Sequence, residues 1–563
     1  MDFFAHQDRA RRNTGLLLFY FIAAVILIVL AVYTAVIGAF RGFGRQLSAA
    51  GVTYDVWNSE LFVWVAAITL TVIATGTAYK VASLSAGGNA VARLLGGRPI
   101  NTNTANLKQR QVLNVVEEMA IASGVPVPTV YLLEDEAGIN AFAAGFSPTD
   151  AVVAVTQGTV DLLSRDELQG VIAHEFSHIL NGDMRLNIRL MGVLHGILVI
   201  ALIGYTILRG GRITTDRKGG SLPIILFAIS LLAIGYVGVF FARLIKSAVS
   251  RQREFLADAS AVQFTRNPGG IAGALKKIGG FAKGSKIKSP KAEEASHFYF
   301  ARGLATAFDF LATHPPLDER IRRIDPSFDG KFPKIEYPVI EYVEGPPPPP
   351  TTPITDTKLS VLPKELTDLV GKLTQAHIVY AAALVSALPN RVVDQVHEPS
   401  GARAVVFALL LSPDSETRRA QFSILNESKD PLVTRNTLEV SSQVEKLPPQ
   451  ARLPLIDMAL PALRRLSPEQ HEVFRDLVRR LVMADEKCDL FEFTVLHILR
   501  RHLDRYFHNT PPPKVKYESL GPLTDECSVL LSGLAQTGHS DDELTARAFA
   551  DGAEELGDIG KKL

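Results

Sequence analysis

Ser164-Arg-Asp-Glu-Leu-Gln-Gly-Val-Ile-Ala-His174-Glu-Phe-Ser-His178-Ile-Leu180 is the stretch on which the reading of the whole chain turns. Ser164 with Glu167 has the S-x-x-E form of a capping box, which predicts a helix starting there. Leu168, Val171 and Ile172 give that helix an apolar face. His174 and His178 are four positions apart, so both imidazoles stand on one face, one turn above the other. Two neighbouring ligands on a tetrahedral zinc ion need that spacing. Glu175 lies one step around the helix, placed to reach a metal-bound water without ligating the metal. On a bland surface helix the same residues would be two solvated histidines beside an ordinary glutamate. The cap and the apolar face argue against that.

H-E-x-x-H is the pattern of metalloproteases, with the glutamate as general base. Catalytic zinc takes three protein ligands and keeps one position open. Ser250-Arg-Gln-Arg-Glu-Phe-Leu-Ala-Asp-Ala259 offers Glu254 as the third ligand. Asp258, one turn further on, is placed to accept a hydrogen bond from a ligand histidine and fix its tautomer. One zinc ion per chain is expected. Chain position supplies a check: His178 precedes Leu190, where an apolar run begins, by 12 residues, and Glu254 follows Ala242, where another ends, by 12. If both stretches are helical, the two ligand helices emerge side by side and meet at one metal.

The chain has 563 residues, too many for one core, so two or three folded units are expected. A net charge of +1 gives no support for a nucleic-acid partner. The only cysteines are Cys488 and Cys527, which excludes a disulfide framework and a cysteine-based zinc site, and fits a reducing compartment. Long uncharged runs occur only before Arg243. Gly15 to Phe40, about 26 residues, reads as a signal-anchor helix, because Arg41 and Arg45 follow it in place of a cleavage site. Leu61 to Tyr79, Leu190 to Leu208 and Ser221 to Ala242 give about four transmembrane helices in all; the third, which contains His195, also reads as a buried soluble helix. Arg9, Arg11 and Arg12, with Lys80, Arg93 and Arg98, favour a cytoplasmic location for both ends of the first hairpin. Arg209, Arg212, Arg217 and Lys218 spoil the pattern for the second, so either that loop is translocated despite its charge or the hairpin does not fully cross.

At this point the residues resemble the HtpX family, bacterial membrane zinc metallopeptidases related to the CAAX-prenyl endopeptidases. The likeness runs from Gly15 to Ile324, and its most specific part is His174-Glu-Phe-Ser-His178 together with Arg253-Glu-Phe-Leu-Ala-Asp258. It implies a gluzincin-type protease domain with a small sheet, in which Asn140, Ala141, Phe142 and Ala143 form the edge strand that binds an extended substrate. Thr313-His-Pro-Pro-Leu-Asp-Glu-Arg320 resembles a further family motif, by which His314 and Arg320 are oxyanion-stabilising candidates; a charge-capped turn reads equally well. The resemblance further implies a multi-pass protein of the bacterial inner membrane, with its active site facing the cytoplasm. Its substrates would be membrane proteins or unfolded peptides, cleaved in quality control.

The fold expected is mainly α and integral to the bilayer. Residues 1–84 form a membrane hairpin, 85–189 the first part of the protease domain, 190–245 a second hairpin and 246–340 the second part of the protease domain. Glu344-Gly-Pro-Pro-Pro-Pro-Pro-Thr-Thr-Pro353 marks a semi-rigid Pro-rich linker over 344–358. Beyond it, 359–563 reads as an all-α domain: Ser467-Pro-Glu-Gln470 is another capping box, and Leu490, Phe493, Leu496 and Leu499 recur at helical spacing. Ala484-Asp-Glu-Lys-Cys-Asp-Leu-Phe-Glu492 is similar to the acidic stretch of TerB-like helical domains. An adaptor or regulatory module without chemistry of its own, open to a protein partner, is expected there. Two rival functions stay open: a CAAX-type prenyl-protein protease, and a zinc-stabilised membrane scaffold without catalysis. Glu175 argues against the scaffold, since a structural site needs no base and is closed by a fourth protein ligand.

Overall fold

The computed structural model describes residues 19–20, 22–41, 57–84, 87–210, 222–281, 284–287, 299–301, 314–335, 374–428, 430–508, 516–517, 520–538 and 541–556. The Pro-rich linker over 344–358 and the basic residues Arg9, Arg11, Arg12, Arg45, Arg212, Arg217 and Lys218 lie outside them. The chain is mainly helical and divides into two compact units, Met1–Ser386 and Ala387–Leu563.

Among the described residues of the first unit, four helices are long and apolar enough to cross a membrane: α1 (Ile22–Arg41), α2 (Ser59–Ser83), and the spans Asp183–Arg209 and Pro223–Phe241 within α7 (Asp183–Gly210) and α8 (Leu222–Thr265). They share a core of Ile28, Val32 and Ile37 from α1, Val65 and Ile73 from α2, Ile197 and Ile200 from α7, and Leu231 and Val239 from α8. Close approach requires glycine at one contact: a Cβ on Gly196 would stand 2.4 Å from the Ile73 carbonyl oxygen. The outward faces carry Leu27, Trp64, Ile68, Leu226 and Tyr236, all exposed.

Between these pairs the chain builds α3 (Gly88–Leu94), α4 (Leu107–Ser123), α5 (Gln157–Leu162) and α6 (Arg165–Asn181) around a four-stranded mixed sheet. Its strands are β1 (Arg98–Pro99), β2 (Thr129–Leu133), β3 (Ala141–Ala144) and β4 (Val152–Thr156), in the order β1-β2-β4-β3. β2 runs parallel to β4, while β1 and β3 are antiparallel to their neighbours. β2, β3 and β4 are buried on both faces, which explains their continuous apolar runs, whereas β1 is exposed. Ala141, Ala143, Val153 and Val155 point into a core shared with α4, α6 and α9 (Pro268–Gly280). Phe142, Ala144, Val152 and Ala154 point the other way, against Val91 and Ala92 of α3 and Ile188 and Met191 of α7.

The Ser164–Glu167 capping box opens α6, with Glu167 Oε2 accepting from the Ser164 N–H at 2.8 Å. The helix ends at Gly182, whose φ of 72° is left-handed. α7 then starts afresh at Asp183, so the His178 helix is not continuous with the membrane-length helix after it. That corrects the expectation of two matched ligand helices: only α8 runs unbroken from its apolar span to Glu254.

Among the described residues of the second unit, every regular element is helical. Prolines open its helices Pro399–Leu409, Pro431–Val444, Pro449–Leu463 and Pro468–Val482, and Ser467 and Gln470 form the capping box read from the sequence. Phe407 and Phe474 meet in its core with ring centroids 5.4 Å apart. In the acidic stretch, Asp489 caps the helix Leu490–Leu499 by accepting from the Glu492 N–H.

Candidate metal centre and active site

α6 and α8 bring His174, His178 and Glu254 together. Their ligand atoms lie within 4.8 Å of one another, the one such group among the described residues. His174 Nε2 is 3.2 Å from His178 Nε2 and 3.6 Å from Glu254 Oε2, and His178 Nε2 is 3.6 Å from Glu254 Oε1. A tetrahedral zinc ion with bonds of about 2.0–2.1 Å spaces its ligand atoms roughly 3.3 Å apart, so the triangle fits such an ion. The donor set, two imidazoles and a carboxylate, also suits zinc.

The far nitrogen of each ring has its own carboxylate. His174 Nδ1 is 2.9 Å from Asp258 Oδ1, close but bent away from the line of a ring N–H. His178 Nδ1 is 2.9 Å from Asp183 Oδ2. Both contacts turn the Nε2 lone pairs toward the triangle. Burial opposes protonation of His174, but Asp258 and Glu254 outweigh it and push its pKa up to about 9. For His178 burial is again outweighed, chiefly by Asp183, and its pKa is raised. A metal at this triangle therefore has protons to displace. Burial would raise the Glu254 pKa, yet His314 and His174 hold the carboxyl well below its usual range.

Glu175 is buried beside the triangle, and neither of its oxygens makes a well-formed hydrogen bond. Burial raises its pKa against the pull of His174 and His178; the Ala143 amide is near enough to favour the charged form slightly. Such a carboxylate is poised to take up a proton.

His314 and Arg320 come from the other side. His314 Nδ1 is 2.9 Å from Glu254 Oε2, while its Nε2, also buried, makes no hydrogen bond. Arg320, midway along the two-turn helix α10 (Leu317–Ile324), donates from Nε and Nη2 to both oxygens of Asp258 at 2.8 and 2.6 Å, and from Nη1 to the Phe300 carbonyl at 2.7 Å. Its guanidinium is thus committed to Asp258 and Phe300, with Glu254 Oε2 3.7 Å from Nη1. Burial would raise the Asp258 pKa, but Arg320 lowers it.

Just before β3, the Asn140 carboxamide is turned inward: Nδ2 donates to the carbonyls of Ser285 and Ala301, and Oδ1 accepts from the Ala301 N–H. Ala141, Phe142 and Ala143 follow along the edge, with Ala143 beside Glu175.

Two contributors escaped the sequence reading. Asp183 bridges His178 and Arg253. Phe300 packs its ring edge-on to His174, centroids 4.8 Å apart, with the Arg320 guanidinium 4.8 Å from the same ring. Asp183 carried a faint signal, an acidic residue five positions after the second histidine. Phe300 carried none, because its place depends on contacts across more than a hundred residues.

Residues 106–327, which contain every group named above, match the model for peptidase family M48. The chain is 39% identical over 226 residues to the protease HtpX homolog of Thermoanaerobacter pseudethanolicus, covering 39% of this chain and 73% of that protein. It is 41% identical over 215 residues to the homolog of Dictyoglomus turgidum, 38% of this chain and 68% of that one. With the homolog of Streptococcus uberis the figures are 38% over 216 residues, 38% and 71%. No solved structure matches the chain. Identity at this level, over more than two thirds of each relative, places the chain in peptidase family M48 as an HtpX-like metalloendopeptidase.

Proposed function

We propose that the chain is a zinc-dependent endopeptidase embedded in a bacterial inner membrane, hydrolysing exposed or unfolded segments of membrane proteins in quality control. The observation that carries this is the juxtaposition of the His174–His178–Glu254 triangle with the buried carboxylate of Glu175, which makes no well-formed hydrogen bond. A zinc ion held there would supply a Lewis acid that lowers the pKa of water and polarises a peptide carbonyl. Glu175 takes the proton from the attacking water and delivers it to the leaving amine, a role its raised pKa suits. With both ring nitrogens protonated, His314 would donate from Nδ1 to Glu254 and present Nε2–H to the developing oxyanion, and Arg320 acts one step behind, holding Asp258 and so His174. The outer edge of β3 grips the substrate backbone, the added-strand mode that reads main chain in place of side chains.

The four apolar helices expose large aliphatic and aromatic side chains, which supports a bilayer around them. We take α1 and α2 as one hairpin and the spans of α7 and α8 as another. Arg9, Arg11 and Arg12 before the first hairpin and Lys80, Arg93 and Arg98 after it favour a cytoplasmic face for its ends, and with it the site. Residues 359–563 we take as a TerB-like adaptor for a protein partner.

The deciding experiment is Glu175→Gln in the purified full-length protein. Proteolysis of an unfolded protein should fall by about 10²–10⁴ while zinc content stays at one per chain. Activity unaffected by the substitution would refute the mechanism.

A further inference from the structure

The ring of His174 is not fixed by its hydrogen-bonding contacts alone. Its Nε2 faces the triangle. At Nδ1 the Asp258 carboxylate stands 2.9 Å away but off the line of a ring N–H, and a bent contact opposes rotation of the imidazole only weakly. Two aromatic rings pack against it as well. The His178 ring stands at 81° to it with centroids 4.9 Å apart, and the Phe300 ring at 89° with centroids 4.8 Å apart. Such perpendicular pairs have a preferred geometry. His178 is a candidate ligand of the same ion, so Phe300 is the neighbour that refers His174 to something outside the triangle.

Phe300 is itself firmly placed. Its side chain is wholly buried, its N–H donates to the Ala141 carbonyl of β3 at 2.8 Å, and its carbonyl accepts from Arg320 Nη1 at 2.7 Å. On one side Tyr299 bridges Phe142 in the antiparallel sense; on the other, the Asn140 carboxamide holds both the N–H and the C=O of Ala301. A phenylalanine side chain has two torsions, so a backbone tied at these points leaves its ring little freedom. The contacts also close on themselves. Arg320 grips Asp258, Asp258 meets His174, His174 packs on Phe300, and the Phe300 ring lies 4.8 Å beneath the Arg320 guanidinium.

We propose that Phe300 is a positioning residue for the metal centre: its ring, located by β3, sets the rotation of the His174 imidazole so that Nε2 points at the ion. The inference rests on the reading of the triangle as a zinc site. Phe300 acts through His174, in the way that a hydrogen-bond partner of a ligand does, but by the shape of a packed ring. Without that ring the imidazole turns about its Cβ–Cγ bond and the Nε2 lone pair swings off the ion.

The test uses the purified full-length protein, first metal-free and then loaded with Zn²⁺ or Co²⁺. Phe300→Met and Phe300→Leu each keep an apolar side chain and remove the ring. In both, zinc affinity measured against a competing chelator should fall about tenfold or more. The visible absorption bands of bound Co²⁺, which report ligand geometry, should shift from those of the parent. Lost packing alone would lower the unfolding midpoint of the metal-free variants and leave the cobalt bands and zinc affinity at the parent values; that result overturns the proposal. Failure of both variants to fold would overturn it too, making Phe300 a core residue only. A parent protein that binds neither ion would instead overturn the reading of the triangle as a zinc site.

Discussion

The carboxylate of Asp183 meets Nδ1 of His178 at 2.9 Å through one oxygen and grips Arg253 through the other. The first residue of α7 thereby ties α6 to α8 beside the candidate metal ligands. Asp183→Asn should weaken zinc binding about 10- to 100-fold, measured by competition with a chelator of known affinity. An unchanged zinc affinity would show that His178 is oriented without it.

His314→Ala removes the open Nε2 but no atom of the metal triangle. We expect kcat to fall about 10²–10³-fold with zinc content retained. Loss of zinc in step with activity would instead make His314 a support for Glu254.

Arg320→Met leaves the buried Asp258 carboxylate without its guanidinium. Breaking a buried pair by removing one partner costs roughly 3–5 kcal/mol. Thermal unfolding in detergent should show a markedly lowered midpoint, with or without zinc. A variant as stable as the parent, yet inactive, would return Arg320 to the oxyanion.

Asp457, half-buried in the helix Pro449–Leu463, has its pKa pushed up to about 7 by burial, against the partial opposition of Arg464. The folded protein favours the neutral acid, so wild-type stability falls as pH rises from about 4 toward 7 and the deficit is constant above that. Its ceiling is about 4 kcal/mol, and residual exposure makes it smaller. Asp457→Asn should therefore be more stable than wild type at pH 8, by a margin that shrinks at pH 5. A margin independent of pH would exclude this origin.

The parts of the site that sit within one helical turn were legible in the sequence. His174, Glu175 and His178 are fixed by the 3.6-residue repeat, and Ser164 with Glu167 announces where that repeat begins. Glu254 and Asp258 were legible for the same reason, one turn apart on α8. Gly182 was overlooked as a break because the apolar pattern resumes soon after it, and periodicity is blind to one left-handed residue. Arg320 read as an oxyanion donor on the strength of a motif; its true neighbours, Asp258 and Phe300, depend on how three separate segments fold together. Phe300 is the extreme case, a residue whose importance exists only once Asn140 has gathered it in.

The unbroken course of α8 has a consequence for which bonds of an anchored protein are within reach. Thirteen residues separate Phe241, the end of its apolar span, from Glu254, a rise of roughly 20 Å along the axis. A substrate tethered in lipid needs about six extended residues to cover that height. The helix would thus act as a measuring rod, sparing short tails and cutting long ones. A series of anchored substrates, lengthened one residue at a time, should show cleavage setting in near that length.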